Sequence, residues 1–208
     1  MISIATQVEE ARHRHGEDRI AIKRLAKHTL FAVADGAGGT SGGAAAADAI
    51  CLALKTCAEA ELENWSHWLS RLDQTMASSG SGGLAAVIVF LVSDEGVIKG
   101  ASVGDCEAWI FGQGGTVDLT VHQVRKPLLG SGDASPVGFE ARLSMGAMLV
   151  AATDGLWKYI SHVRIAEQTI KRPLDALLGS LINALRLHSG ALQDDVAIAA
   201  CEVSCGEA

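Results

Sequence analysis

Four aspartates occupy the same kind of place in this chain. Asp35-Gly36, Gly104-Asp105, Asp154-Gly155 and Asp194-Asp195 each stand where an apolar run meets glycine or a second aspartate, and the acidic pair Glu17-Asp18 precedes the first of these runs. Charged side chains are rarely buried unpaired, so carboxylates converging from several strand ends require cations between them. Glycine next to such a carboxylate lets backbone carbonyls approach the same ion, because it takes positive φ and has no Cβ in the way. A donor set made of oxygens alone suits Mg²⁺ or Mn²⁺, and no thiolate pair or histidine cluster is spaced for zinc. Taken singly, Asp35-Gly36-Ala37-Gly38-Gly39 reads more readily as a strand-to-helix turn whose aspartate caps a helix and whose glycines close the bend. The ordered set of four is what points to metal: if the strands belong to two packed sheets whose ends meet, the carboxylates surround a binuclear site.

The elements that must deliver these aspartates follow from hydrophobic periodicity. Residues 1–8 alternate and suit an edge strand, and residues 9–19 form a polar loop holding Arg12, His13, Arg14, His15, Glu17 and Asp18. Residues 20–22 and 28–34 read as a hairpin ending at Asp35. Thr40 or Ser41 can cap a helix in which Ile50, Leu54 and Cys57 fall on one face, and Trp65, Trp68, Leu69, Leu72 and Met76 mark a second helix whose aromatic stripe is core. Residues 84–92 and Val97–Val103 are β-branched runs joined by Ser93-Asp94-Glu95-Gly96, a hairpin turn. Strands over 107–111 and 116–124 continue an antiparallel meander, 126–140 is a turn-rich surface connection, and 147–152 is a strand ending at Asp154. An amphipathic helix starts after Pro173 and stops near Gly190, and a last strand over Val196–Val203 follows Asp194-Asp195.

With 208 residues, 49% of them apolar, the chain suits a single domain over 1–208 with a substantial core. Lys+Arg 17 against Asp+Glu 24 gives a net charge of −7, and the absence of a basic patch argues against nucleic acid or an anionic membrane as partner. The apolar stretch 84–92 is too short to span a bilayer, and residues 1–18 do not read as a signal peptide. Five cysteines, an odd number without metal-site spacing, suit reduced thiols in a cytoplasm.

In this order the motifs resemble the metal-dependent serine/threonine phosphatases of the protein phosphatase 2C type, in their short bacterial form. Gly16-Glu17-Asp18 is similar to the family's Asn-Glu/Gln-Asp, Ala34-Asp35-Gly36-Ala37-Gly38-Gly39 to its Ala-Asp-Gly-Met-Gly-Gly, and Ser102-Val103-Gly104-Asp105-Cys106-Glu107-Ala108 to its Asn-Val-Gly-Asp-Ser-Arg-Ala. Residues 146–156 resemble its Gly-Asp-x-Leu-Leu-Leu-Cys-Ser-Asp-Gly-Leu, and Asp194-Asp195-Val196-Ala197 its Asp-Asn/Asp-Ile/Val-Thr. The resemblance implies an α+β fold, a four-layer α/β/β/α sandwich of two antiparallel sheets packed face to face and flanked by helices. It implies two divalent ions, Mn²⁺ or Mg²⁺, with a weaker third. Asp35 would bridge the two ions, the Gly36 carbonyl would bind the second, and Asp154 and Asp194 would hold the first. Glu17 and Asp18 would act through water, and Asp105 with Asp154 would serve the third ion. Asp35, Asp154 and Asp194 would thus be the catalytic set. The implied reaction is hydrolysis of phosphoserine or phosphothreonine in a protein by direct attack of a metal-activated water, in a monomer working opposite a cognate protein kinase.

The departures from the family pattern are local. Its phosphate-binding arginine, four residues before the glutamate, is His13 here, flanked by Arg12 and Arg14, either of which offers the planar fork that suits phosphate. Ala37 stands where some relatives have a histidine, Ala44 where they have a glutamate, and Lys158 where many have an acid near the third ion. Retention of all four aspartates favours an active enzyme. His13, Ala44 and Lys158 favour the alternative, a catalytically weak regulatory domain that binds a partner, and hydrolysis of small phosphate esters is a third reading.

Overall fold

The computed structural model describes residues 1–11, 16–37, 42–58, 63–80 and 83–204. In chain order it contains β1 (Ile2–Glu9), β2 (Asp18–Arg24), β3 (His28–Gly36), α1 (Gly43–Thr56), α2 (Trp65–Ser78), β4 (Ala85–Ser93), β5 (Val97–Val103) and β6 (Glu107–Gly112). There follow β7 (Gly115–Asp118), β8 (Val137–Arg142), β9 (Met148–Ala152), α3 (Asp154–Trp157), α4 (His162–Lys171), α5 (Leu174–Leu185) and β10 (Val196–Val203). The strands form two five-stranded sheets, ordered β1-β10-β9-β6-β7 and β2-β3-β4-β5-β8, with antiparallel pairing throughout.

Period-two alternation along the strands divides the apolar residues between two kinds of layer. On β3, Phe31 and Val33 face the other sheet while Leu30, Ala32 and Ala34 face α1 and α2; Ile50, Leu54, Trp65, Trp68 and Leu69 pack against that outer face. Phe31 stacks on Phe90 of β4 inside the layer between the sheets, centroids 4.8 Å apart. On the other sheet, Ala197 and Ala199 of β10 and Leu149 and Ala151 of β9 point inward, while Val150, Ile198 and Ala200 receive Leu177, Leu181 and Ile182 of α5. Helices therefore cover both outer faces, and the expected four-layer α/β/β/α sandwich is what the chain forms.

Several local expectations are corrected. The meander is broken after β5, because β5 pairs with β8 while β6 joins the other sheet beside β9. The expected strand over 116–124 shortens to β7 and gives way to turns. The connection 126–140 contains the beginning of β8, and within it Leu129 is fully buried and bridges Ala85 through both backbone hydrogen bonds. Its anchor is Asp73 of α2, buried, whose carboxylate accepts from the backbone N–H groups of Gly130 (2.7 Å), Gly132 (3.1 Å) and Ala134 (3.0 Å). Gly42, without a side-chain cap, is the N-cap of α1; Thr40 and Ser41, the expected caps, lie outside the described residues. Cys51, Cys57, Cys106 and Cys201 are free and buried, and Cys205 is outside the described residues.

Candidate metal centre

The alternation that builds the inner layer also builds the site. Continuing the inward-facing series Phe31, Val33 along β3 leads to Asp35 at the rim, and in register with it stand Asp18 on β2 and Ala86 on β4. On the opposite sheet, the inward series Leu149, Ala151 leads to Thr153, and Ala197 leads back to Asp195. The two sheets thus expose acidic strand ends to each other at one edge of the sandwich. Between them lies a cavity of about 210 Å³ lined by Glu17, Asp18, Asp35, Gly36, Asp105, Lys158, Asp154, Asp194 and Asp195, together with Ala37, Ala86 and Leu128. Carboxylate oxygens of Asp35, Asp105 and Asp154 lie within 4.8 Å of one another.

Each acid is held differently. Asp195 is buried and spent on the backbone: its two oxygens accept from Ala11 N–H (2.8 Å) and Glu17 N–H (2.9 Å), clamping both flanks of the 12–15 segment. Asp18 accepts from the Thr153 hydroxyl (2.6 Å), and Thr153 in turn accepts from the Ala197 N–H (2.9 Å), so a single buried threonine links β2, α3 and β10. Asp35 is held in the ladder opposite Asp18, with Gly36 N–H donating to the Glu17 carbonyl at 3.2 Å. Glycine is obligatory just beyond it, since a Cβ at Gly36 would run into the backbone carbonyl of Gly43 at the start of α1. Asp154 opens α3 after its N-cap Thr153, and Gly155 can bear no side chain because the Asp195 carbonyl fills the space. The Asp105 backbone carbonyl accepts from the Trp157 indole N–H at 3.1 Å, tying the end of α3 to the turn after β5.

Like charges in a desolvated cleft resist ionisation. Burial first, then the neighbouring Asp18, Asp154, Asp105 and Asp194, push the Asp35 carboxyl up to about 9. Asp18 rises to about 7, chiefly by burial, with Asp195, Asp154 and Asp194 adding and the Thr153 hydrogen bond opposing. A divalent cation among these oxygens would remove the repulsion that raises both values. Among the described residues, the cavity is lined by carboxylates with Gly36 beside them and by no thiol or imidazole, a donor set that fits Mg²⁺ or Mn²⁺ better than zinc.

The placement of the expected residues follows. Asp35, Asp105 and Asp154 come together; Asp194, Glu17, Asp18 and Gly36 line the same cavity without entering the tight group of three. Arg12, His13 and Arg14, the expected phosphate-binding residues, lie outside the described residues, although Ala11 and Glu17 on either side are fixed by Asp195. Sequence reasoning missed Thr153, whose only signal was its position before Asp154. It also missed Arg19, which donates to the Gly16 and Asp18 carbonyls (both 2.9 Å) and pairs with Asp48 of α1 (2.7 Å).

Residues 26–204 match the family of the Stage II sporulation protein E (SpoIIE). The chain belongs to that family. Among curated proteins none matches. Solved structures similar to this SpoIIE-family chain include a serine/threonine phosphatase of S. agalactiae, at 20% identity and TM-score 0.81 over 98% of this chain and 100% of that one. The serine/threonine phosphatase PstP/Ppp of Mycobacterium tuberculosis is similar at 17% identity and TM-score 0.79, covering 98% and 99%. RsbX in complex with magnesium is similar at 18% identity and TM-score 0.79, covering 98% and 96%. The resemblance to the protein phosphatase 2C type is borne out at the level of family and fold.

Proposed function

We propose that the chain is a Mn²⁺- or Mg²⁺-dependent phosphatase acting on phosphoserine or phosphothreonine in proteins, with residues 1–208 as one catalytic domain. The observation that carries this reading is the group Asp35, Asp105 and Asp154, whose oxygens lie within 4.8 Å of one another at the edge where two sheets meet. The serine/threonine phosphatases among similar structures, and the magnesium reported with RsbX, support it.

In this reading Asp35, Asp154, Asp194 and the Gly36 carbonyl hold two ions, Asp105 with Asp154 serves a weaker third, and Glu17 and Asp18 act through water. Bound there, the ions would lower the pKa of a shared water and offset charge on the phosphoryl oxygens. The chain's own contribution is placement. Thr153 donates to Oδ2 of Asp18 and so holds this cavity-lining carboxylate in one orientation. Asp195 fixes the flanks of the segment that bears Arg12, His13 and Arg14, of which Arg14 is our first choice to hold the phosphate, followed by Arg12. The buried free thiols suit a reducing cytoplasm, and a protein kinase would supply the phosphorylated substrate.

The test is hydrolysis of p-nitrophenyl phosphate by purified protein with added Mn²⁺, beside chelated enzyme and an Asp35→Asn variant. Full activity after chelation would end the metal reading. Comparing phosphopeptides with small phosphate esters then separates a protein phosphatase from a metabolite phosphatase. A second reading, a catalytically weak domain that binds a partner, is favoured by one feature, the Lys158 ammonium seated on Asp154. Metal binding without turnover on any phosphoester would select it.

A further inference from the structure

Among the described residues lining the cavity, Lys158 is the one cation. Its ammonium forms an ion pair with Asp154 Oδ2, and the Asp154 side chain is only 10% exposed. The same Asp154 is one of the three carboxylates close enough to share a metal ion. Its position is not that of a wandering surface lysine. Lys158 is the C-cap of α3, with helical backbone and its N–H on the Asp154 carbonyl at 3.0 Å. That helix is seated at one end by Gly155 against the Asp195 carbonyl and at the other by the Trp157 indole on the Asp105 carbonyl. An acid four residues before a lysine is also the favourable order for an ion pair along a helix. Lys158 is 44% exposed at its side chain, so its head group has a path from Asp154 to solvent.

We propose that Lys158 is a tethered counter-cation that competes with a divalent ion for Asp154, so that the metal position shared by Asp154 and Asp105 fills only at raised metal concentration. The inference rests on the metal-dependent reading above. A carboxylate oxygen occupied by an ammonium has to be vacated before an ion takes it, and an ammonium displaced by only a few ångströms still repels the incoming ion. At a separation of about 5 Å in water, a single and a double positive charge repel enough to weaken binding on the order of tenfold. A lysine ammonium seated on a carboxylate carries its charge at neutral pH. The physiological consequence is a site that responds to metal over a higher concentration range than its carboxylates alone would set.

The experiment is calorimetric titration of chelator-stripped protein with Mn²⁺, for the natural chain, Lys158→Met, Lys158→Arg and Lys158→Met/Asp105→Asn. The expected result is a weakest Mn²⁺ site at least tenfold tighter in Lys158→Met, unchanged in Lys158→Arg, and returned to or beyond its original weakness in the double variant. Circular dichroism confirms that each variant is folded. Equal Mn²⁺ affinity in Lys158→Met and the natural chain would overturn the competition while leaving the metal-dependent phosphatase intact. A natural chain that binds no Mn²⁺ and hydrolyses phosphoesters without it would overturn both.

Discussion

At the scale of single residues, Asp35 is where charge is most confined: it faces Asp18 across the ladder and shares the cavity with Asp105 and Asp154. Asp35→Asn should lower kcat roughly a hundredfold or more, since a metal position worth several kcal/mol is weakened. The same change should raise the melting temperature of metal-free protein near pH 7, because the folded chain no longer has to hold a proton on Asp35 that the unfolded chain has given up, and lower that of Mn²⁺-saturated protein. A thermal melt of both forms checks the paired signs, and a drop in both would assign Asp35 to the fold alone. The phosphate-binding residue belongs to this scale too. A guanidinium on a phosphoryl oxygen contributes roughly 1.5–3 kcal/mol, so Arg14→Ala or Arg12→Ala should lower kcat/KM by roughly 10- to 150-fold with Mn²⁺ affinity unchanged. If His13→Ala alone is impaired, imidazole holds the phosphate instead.

At the scale of elements, the α3 turn is the part whose position depends on absence of a side chain. Gly155→Ala would drive a methyl into the Asp195 carbonyl, and the backbone must shift to admit it. We expect a loss of about 2–3 kcal/mol, read from denaturant midpoints, together with weaker Mn²⁺ binding as Asp154 moves with its helix. An unaltered midpoint would mean that α3 is free to slide. Elements also divide what could be read from the chain. Strands β3, β4, β5 and β10 and helices α2 and α5 were legible because apolar periodicity in each is long and bounded by turn residues. The fate of β6 and β8 was not legible, because their pairing depends on which sheet the chain enters after Gly104-Asp105, and no local pattern encodes that choice. The buried Leu129 was hidden in a turn-rich stretch whose backbone is satisfied by Asp73, a partner more than fifty residues away. In the site, acid residues announced themselves by type and neighbours, whereas Thr153 and Arg19 act by reaching other segments.

At the scale of the whole molecule, the acidic rim ties stability to pH. Asp35 and Asp18 rise from 3.8 to about 9 and about 7 in the folded chain. A carboxyl raised on folding keeps its proton in the native state while the unfolded chain has lost it. Metal-free protein is therefore most stable near or below pH 4 with respect to these groups, and that contribution is lost as pH rises, through about 7 for Asp18 and about 9 for Asp35. Melting temperatures of chelated protein should fall across this window, and Mn²⁺ should flatten the fall; a chelated protein indifferent to pH there would contradict the charge crowding. Lastly, the rim takes Asp18 and Asp35 from one sheet and Asp154 and Asp194 from the ends of the other, so neither sheet alone offers the whole ligand set proposed above. In that reading an ion has nowhere to bind during refolding until the sheets have docked. Mn²⁺ should act as a late clasp: unfolding slows in proportion to the stability gained, while the refolding rate from denaturant stays nearly constant.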